Sequence, residues 1–456
     1  MARDVSDASP IESRDELVAW IAEGEKPKAQ WRIGTEHEKI PFYRADRSPV
    51  PYAGDRGIAA LLVGLQRESG WEPIRDGDNI IGLFEGEGGG AISLEPGGQF
   101  ELSGALTCDL HETMDELSAH IEAAKRVAEP LGISFLDLGM SPVWSREETP
   151  VMPKSRYRIM MGYMPKVGRL GLDMMLRTAT VQVNLDFSSE ADMVRKLRAS
   201  LALQPISTAL FANSPFTDGK PNGFQSMRSQ IWTDTDPHRT GMMPEAFEDG
   251  FGYERYVDWA LDVPMYFVMR DGHYHDVAGE SFRDLLEGRL PQLPGVTASR
   301  SDWANHVSTV FPEVRLKRFL EMRGADAGPR SHLAAMPAYW VGLLYDQSAL
   351  DAAYDLVKNW SAEERQALRD AVPREGLSAR IGGHSVQDLA RETLRIARAG
   401  LSARGISDTL GRDETRFLDP LEQIVESGTN RAQQLLALYH GRWKGSVDPT
   451  FEECVF

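Results

Sequence analysis

Glutamate side chains recur on one face of several short segments of the chain. In residues 31–38, 92–102 and 320–323, polar and apolar residues alternate, so every second side chain lies on the same side of a strand. The glutamates on these polar faces are Glu36, Glu38, Glu95, Glu101 and Glu321. Strands contain few glutamates, and carboxylate oxygens are preferred ligands of Mg²⁺ and Mn²⁺. The pattern favours a divalent metal site over the alternative, a solvated sheet face.

Amide and guanidinium groups accompany these carboxylates. Residues 180–187 also alternate, and their polar face carries Gln182 and Asn184. Arginine is the preferred side chain for binding carboxylate or phosphate through two parallel hydrogen bonds, although a single arginine more often forms a structural ion pair. The arginines next to strand-like or glycine-flanked segments are Arg177, Arg228 and Arg323.

Aromatic residues crowd one stretch, from residue 251 to residue 267. Tyr253, Tyr256 and Trp259 recur every third residue, as one side of a helix would, and Tyr266 follows shortly after. Core packing is the first interpretation of this spacing. The alternative is an aromatic wall for a small substrate.

Other familiar chemistries find little support. The string at residues 86–91 matches the GxGxxA dinucleotide pattern, but an alternating segment follows it where that fingerprint needs a helix. It therefore predicts a flexible hairpin. No Walker A motif is present, and two cysteines, Cys108 and Cys454, cannot form a cysteine-based zinc site.

The elements around these residues predict an α+β fold in one domain spanning residues 1–456. A mostly antiparallel, curved sheet would carry apolar residues towards flanking helices and polar residues towards a substrate. Helical periodicity marks residues 13–22, 58–69, 109–127 and 190–203, the last ending before Pro205. The C-terminal part, from about residue 348 to 456, is predicted to be largely helical.

Charge and hydropathy limit the partners. The 456 residues carry a formal net charge of −18, which disfavours nucleic acid and anionic membranes. Residues 1–14 are polar and no segment is apolar for long enough to span a bilayer. With only two cysteines, the chain is expected to be reduced and cytosolic, binding small molecules rather than nucleic acid or membrane.

Several long strings together resemble the plant-type glutamate–cysteine ligases, which also occur in proteobacteria. The resemblance covers nearly the whole chain. The strings are GTEHEK (34–39), SLEPGGQFELSG (93–104), RIMMGYMPKVG (158–168), DMMLRTATVQVNLDFSSEAD (173–192), NSPF (213–216), SMR (226–228), RLKRFLEMRGAD (315–326) and SVDP (446–449).

This resemblance implies a reaction as well as a fold. The fold would be that of the glutamine synthetase and guanido kinase-like ligases. The reaction would be ATP- and Mg²⁺-dependent joining of the L-glutamate γ-carboxylate to the L-cysteine amine through a γ-glutamyl phosphate, the first step of glutathione biosynthesis. The substrates would be L-glutamate, L-cysteine and ATP, and the enzyme would be a monomer or a weak homodimer.

The resemblance also implies roles for the metal and phosphate residues. Glu36, Glu38, Glu95 and Glu101 would hold Mg²⁺, with Mn²⁺ as a substitute. Glu321 would coordinate the metal that accompanies the nucleotide, and Arg323 would contact the transferred phosphate. Catalysis would depend on Arg323 and Glu38.

For the amino-acid substrates, the resemblance implies that Arg228 clamps the α-carboxylate of glutamate. Arg177, Gln182 and Asn184 would share that pocket. Tyr256 and Tyr266 would form the cysteine pocket.

The chain departs from its plant relatives in its cysteines, because the stretches around Ala179, Gln292 and Ala334 contain none. Control by the plant disulfide scheme is therefore not expected. Two alternatives stay open: a γ-glutamyl ligase that uses another amine, and a non-catalytic ligand-binding relative. One small side chain changes specificity by only about 1 to 3 kcal/mol, so the sequence does not identify the acceptor.

Overall fold

A computed structural model describes residues 7–456 of the chain. The first six residues, which belong to the polar stretch at residues 1–14, lie outside this range. Within the described range, no helix combines the length and the apolar character that crossing a membrane would require.

Short strands are distributed along most of the chain. In chain order they are β1 (Ile33–Tyr43), β2 (Glu72–Asp76), β3 (Asn79–Phe84), β4 (Ala91–Leu94), β5 (Phe100–Ser103), β6 (Ile133–Leu136), β7 (Thr180–Leu185), β8 (Phe216–Thr217), β9 (Lys220–Pro221), β10 (Thr240–Gly241), β11 (Phe267–Arg270), β12 (His273–Asp276), β13 (Phe311–Pro312), β14 (Val314–Leu316), β15 (Leu320–Asp326), β16 (Arg380–Ile381) and β17 (His384–Ser385).

The helices cover the sheet and make up most of the C-terminal third. They are α1 (Arg14–Ala22), α2 (Ile58–Ser69), α3 (Leu110–Ala128), α4 (Ser155–Val167), α5 (Gly171–Arg177), α6 (Glu190–Leu210), α7 (Met227–Trp232), α8 (Tyr253–Asp262), α9 (Phe282–Leu286), α10 (Arg300–Ser308), α11 (Arg330–Leu344), α12 (Gln347–Val357), α13 (Ala362–Glu375), α14 (Val386–Arg404), α15 (Asp419–Ser427), α16 (Arg431–His440) and α17 (Thr450–Glu453).

One antiparallel sheet organises the molecule and confirms the predicted α+β class. Its strand order is β14-β15-β7-β1-β5-β4-β3-β2, and β6 pairs with the end of β1. The apolar side chains of β7 and β15 pack on α6 and α11, and those of β3 to β5 pack on α2 and α3. The opposite face keeps the polar residues. The polar face can therefore form one wall of a cleft.

One predicted helix end is wrong. Helix α6 continues through Pro205 to Leu210 instead of ending at residue 203. Proline inside a helix costs about 3 kcal/mol because it removes one backbone hydrogen bond. Here the last eight residues of the helix are all buried, so packing offsets that cost.

The glycine-rich string at residues 86–91 lies in the turn between β3 and β4, as the hairpin interpretation predicts. Gly86 and Gly88 have positive φ angles of 136° and 79°, which favour glycine. Strand β4 follows directly, so the string does not open a helix.

Candidate functional site

A deep cleft opens on the polar face of the sheet. The space between its walls, including the part that is open to solvent, has a volume of about 930 Å³. The side chains around it come from the main sheet and its turns, from α4, α5 and α7, from β11, and from the segment between α10 and β14. They are Glu36, Glu38, Glu95, Pro96, Gln99, Glu101, Arg156, Tyr157, Met160, Met174, Met175, Thr178, Thr180, Gln182, Arg228, Trp232, Phe267, Ser308, Thr309, Phe311, Arg315 and Arg323.

Two of the predicted metal-binding carboxylates face each other across β1 and β5. Glu38 lies directly opposite Glu101 in the register. Thr180 donates its backbone N–H to Glu38 Oε2 at 3.0 Å, and the hydroxyls of Ser93 and Ser103 donate to Glu101. Burial raises the pKa of Glu38 well above its usual value, and the neighbouring carboxylates raise it further. The two carboxylates are therefore held in place by one backbone N–H and two serine hydroxyls, with the guanidinium of Arg228 partly offsetting the charge of Glu38.

The other two carboxylates of this group flank that pair. Glu36 lies opposite Gln182, and Asn184 donates its Nδ2 to Glu36 Oε1 at 3.0 Å. Glu95 stands at the turn between β4 and β5. All of these residues except Asn184 line the cleft; Asn184 instead supports Glu36 from behind.

The turn that carries Glu95 is fitted closely to helix α5. A Cβ atom at Gly97 would come within 2.0 Å of the Leu176 carbonyl oxygen, so only glycine fits there. Gln99 accepts a hydrogen bond from the Gly97 N–H at 2.9 Å and donates one to the Thr178 carbonyl at 2.7 Å. The Pro-Gly-Gly sequence thus fixes the position of the carboxylates on both sides of it.

Arginines occupy the other side of the same face. The register between β15 and β7 shifts between Met322 and Ala325, a bulge that redirects the side chains around it. Within it, Arg323 donates to Gln182 Oε1 at 2.7 Å and lines the cleft next to Arg315. Positive charge therefore lies on β14 and β15, and negative charge lies on β1 and around β4 and β5.

Glu321 has a different place from the one predicted. It lies on the polar face but is fully buried, and it does not line the cleft. Arg315 donates to both of its oxygens at 2.7 and 2.9 Å, Lys317 lies 2.8 Å from Oε2, and Arg323 contacts Oε1. Burial opposes ionisation, yet these three cations hold the pKa of Glu321 well below its usual value. Both oxygens are thus occupied, and the carboxylate orients arginines instead of facing a metal.

Arg228 enters the cleft from the first turn of α7. Only 3% of it is exposed. Its Nη2 donates to the Arg323 carbonyl at 2.9 Å, whereas its Nη1 is buried and meets no hydrogen-bond acceptor among residues 7–456. Burial lowers the pKa of Arg228, and Asp326 and Glu38 oppose that effect. An unpaired buried N–H of this kind suits an anionic ligand.

Three other predicted substrate residues lie outside the cleft. Arg177 forms ion pairs with Asp173 at 3.1 Å and Asp218 at 2.5 Å. Tyr256 is in the core, where its hydroxyl donates to the Leu316 carbonyl at 2.7 Å. The regular spacing of aromatic residues along α8 therefore reflects core packing, and the predicted role of Tyr256 in a cysteine pocket is wrong.

Tyr266 is also buried and stacks on the guanidinium of Arg239, 3.9 Å from the ring centre. Its neighbour Phe267 lines the cleft in its place. Tyr266 directly precedes β11, and adjacent side chains of an extended segment lie on opposite sides.

Several cleft residues escaped the sequence analysis. Arg156 and Tyr157 lie in the first turn of α4, immediately before the string at residues 158–168. Trp232 lies one helical turn after Arg228, a spacing that would have placed the two side chains together. Phe311, Ser308 and the methionines of α5 carry no local signal of a cleft.

The carboxylates of the cleft are the ligand type that a hard cation prefers, although they do not form a complete coordination shell. Within the described part of the chain, no three His, Cys, Asp or Glu side chains are gathered closely enough to surround an ion. Mg²⁺ is commonly held by one or two carboxylates together with substrate phosphates. The facing pair Glu38 and Glu101 meets that requirement.

Comparison with known proteins agrees with this architecture. The family model described as "Glutamate-cysteine ligase family 2(GCS2)" matches residues 32–453. A chloroplastic glutamate–cysteine ligase from Nicotiana tabacum is 54% identical over 449 residues, which cover 98% of this chain and 84% of that protein. The corresponding Arabidopsis thaliana protein is 55% identical over 444 residues, covering 97% and 83%.

Among solved structures, the glutamate–cysteine ligase of Francisella tularensis in complex with AMP has a TM-score of 0.52 at 11% identity. The match covers 94% of this chain and 88% of that one. At this identity the likeness supports the fold alone.

The relatives correct one prediction. The curated relatives from tobacco and Arabidopsis thaliana are named as chloroplastic, so the predicted cytosolic location is wrong. A low cysteine count indicates a reducing compartment but does not distinguish one such compartment from another.

Proposed function

The chain belongs to glutamate-cysteine ligase family 2, and from this premise we propose that it joins the γ-carboxylate of L-glutamate to the amine of L-cysteine at the expense of ATP. The observation that carries the proposal is the order of charges across one sheet face. Carboxylates on β1 and β5 lie beside arginines on β14 and β15, and Gln182 stands between them. A triphosphate with its cations requires both kinds of group side by side.

Mg²⁺ ions would be bound on the acidic side, where Glu36, Glu38, Glu95 and Glu101 would share them and substrate phosphates would complete their coordination. When bound, Mg²⁺, or Mn²⁺ in its place, neutralises the charge of the triphosphate. The raised pKa of Glu38 supports this role, because burial and the charges of Glu95 and Glu101 both disfavour its ionised form, and a bound cation would offset both effects.

The arginines act on the opposite side. A γ-carboxylate oxygen of glutamate attacks the γ-phosphorus of ATP, a new phosphorus–oxygen bond forms and the bond to ADP breaks. Arg315 and Arg323 stabilise the negative charge on the transferring phosphoryl oxygens. Glu321 keeps both guanidiniums in place beforehand, so little reorganisation is needed during the reaction.

The second step completes the peptide bond. The amine nitrogen of cysteine attacks the acyl carbon of γ-glutamyl phosphate, the amide bond forms and inorganic phosphate leaves as the amine loses its proton. Arg228 holds the glutamate α-carboxylate through both steps, since its free Nη1 is buried at the cleft wall. Met160, Met174 and Phe267 offer apolar surface for the thiol side chain.

The test uses glutamate labelled with ¹⁸O in its γ-carboxylate. Purified protein with ATP, Mg²⁺ and labelled glutamate should release ADP in the presence of L-cysteine and form γ-glutamylcysteine, identified by mass. One ¹⁸O should appear in inorganic phosphate, because the acyl phosphate transfers that oxygen. Product without label in phosphate would exclude the acyl phosphate.

Other amines distinguish the alternatives. If another amine but not cysteine supports turnover, the acceptor assignment is wrong while the ligase chemistry stands. If folded protein binds ATP but releases no ADP with any amine, the protein is a non-catalytic relative. As a variant pair, Glu38→Gln should abolish turnover, whereas Glu116→Gln, on α3 outside the cleft, should retain it.

A further inference from the structure

A buried carboxylate behind the cleft joins two segments that are distant in the chain. Asp326 ends β15 and is 1% exposed. It accepts hydrogen bonds from the Asn213 backbone N–H at 2.8 Å, from Ser214 Oγ at 2.7 Å and from Ser226 Oγ at 2.8 Å. Gly139 closes the remaining side, where a Cβ atom would come within 2.5 Å of Asp326 Cβ. The carboxylate therefore has little freedom to move.

The two serines transmit this position to α7. Ser214 Oγ accepts the Arg228 backbone N–H at 3.1 Å, and Ser226 Oγ accepts the Ser229 backbone N–H at 3.1 Å. A serine at the start of a helix usually directs its own hydroxyl hydrogen to any nearby acceptor. Here both hydroxyls donate to Asp326 and accept from the first turn of the helix. The start of α7 is thus tied to the end of β15.

Arg228 depends on this tie because its guanidinium has few other constraints. One hydrogen bond joins its Nη2 to the Arg323 carbonyl, and its Nη1 is free for a ligand. Among the carboxylates whose charge raises the pKa of Arg228, Asp326 has the largest effect. Both the backbone and the charge of Arg228 therefore depend on Asp326.

We propose that Asp326 is a positioning residue for Arg228 and, through the hydroxyls of Ser214 and Ser226, sets the affinity of the cleft for L-glutamate. The proposal rests on the proposed function, in which Arg228 holds the glutamate α-carboxylate. Asp326 itself does not line the cleft.

The experiment measures binding and turnover separately. L-glutamate is titrated into each protein by calorimetry, and the KM values for glutamate, cysteine and ATP are determined. The variants are Asp326→Asn, Ser226→Ala and the conservative Ser226→Thr. The control is Glu414→Gln, since Glu414 is also fully buried, accepts the Leu110 N–H at 2.8 Å and pairs with Arg404 at 3.0 Å, outside the cleft.

Asp326→Asn and Ser226→Ala should weaken glutamate binding and raise its KM about tenfold, a loss typical of one charge-assisted hydrogen bond, while the ATP KM stays within twofold. Ser226→Thr should restore most of the affinity. Glu414→Gln should lower thermal stability without changing the glutamate KM. Ser226→Ala removes one hydroxyl only, so it tests the idea even if Asp326→Asn does not fold.

Other outcomes separate the two proposals. Glutamate affinity within twofold of wild type in both variants would overturn the role of Asp326. So would a uniform rise of all KM values with loss of stability, as expected of a purely structural residue. Wild-type protein that binds glutamate without ligating it would overturn the proposed function alone, and the binding titrations would still decide the role of Asp326. Wild-type protein that does not bind glutamate would overturn both.

Discussion

Replacing Glu321 by glutamine should destabilise the protein in the absence of any metal or nucleotide. Glu321 is the shared counter-charge of three cations: Arg315 and Lys317, which are buried, and Arg323, whose side chain is 11% exposed. Glutamine has nearly the same shape but no charge, and its amide NH₂ would face cationic donors. The substitution therefore leaves positive charges that remain buried but lose their compensation.

The size of the effect follows from burial. Removing one partner of a buried ion pair typically costs about 3 to 5 kcal/mol. The unfolding entropy of about 2.1 cal/mol/K per residue amounts to roughly 1 kcal/mol/K for a chain of this length. The expected decrease in Tm is therefore about 3 to 5 °C.

A surface glutamate provides the matched control. Glu23 also pairs with two arginines, Arg300 at 2.7 Å and Arg318, but its side chain is 43% exposed. Exposed pairs contribute about 0 to 1 kcal/mol, so Glu23→Gln should lower Tm by about 1 °C or less. Calorimetric unfolding of both variants and wild type, in chelator and without ATP, measures the difference.

Equal shifts of Tm in Glu321→Gln and Glu23→Gln would contradict the role of Glu321 as a buried counter-charge. A Glu321→Gln protein with wild-type Tm but weakened metal binding would instead restore the metal-ligand role implied by the family resemblance. The two roles thus predict opposite results in the same pair of measurements.

Three further expectations follow from the site and its surroundings. Burial raises the pKa of Asp137 to about 7, so the folded state binds its proton more tightly than the unfolded state does, and stability falls as pH rises from about 4 to 7. Asp137→Asn should remove this loss of stability. Relative to wild type, the free energy of unfolding of the variant should be up to about 4 kcal/mol higher above pH 7 than it is at pH 4. Urea unfolding of both proteins at several pH values measures the difference. Arg228→Lys keeps the charge but loses the planar guanidinium that donates to the Arg323 carbonyl through Nη2 and leaves Nη1 free for the ligand, so the glutamate KM should rise at least tenfold with the ATP KM unchanged. Equal changes in both KM values would contradict the assignment. Protons and Mg²⁺ should compete at Glu38, so raising Mg²⁺ should extend turnover to lower pH, and a pH profile independent of Mg²⁺ would exclude this site.

Much of the cleft lining could be predicted from the alternation of polar and apolar residues alone. Residues two apart in a strand share a face whatever the strand pairs with, so the common side of Glu36, Glu38 and Glu101 follows from local geometry. The same rule placed Gln182 on that side. Proline and glycine at residues 96–98 marked the turn that carries Glu95, since their backbone preferences are equally local.

The partners of those side chains were decided by contacts between distant parts of the chain. Arg315 lies opposite Glu321 only because β14 and β15 pair in that register, and this turns a predicted metal ligand into a buried counter-ion. Helix α6 passes Pro205 because tertiary packing outweighs a local cost. Tyr256 has the same spacing whether it packs in a core or lines a pocket, and only the packing of α8 determined which.

The sequence by itself therefore determined the family, the fold class and the polar face of the sheet, because these depend on local periodicity and on long matching strings. Tertiary structure alone decided which charges are compensated and which are free. Burial and partners set the energy of a charge, and both arise from residues that the chain brings together over hundreds of positions, as Asp326 and Arg228 show.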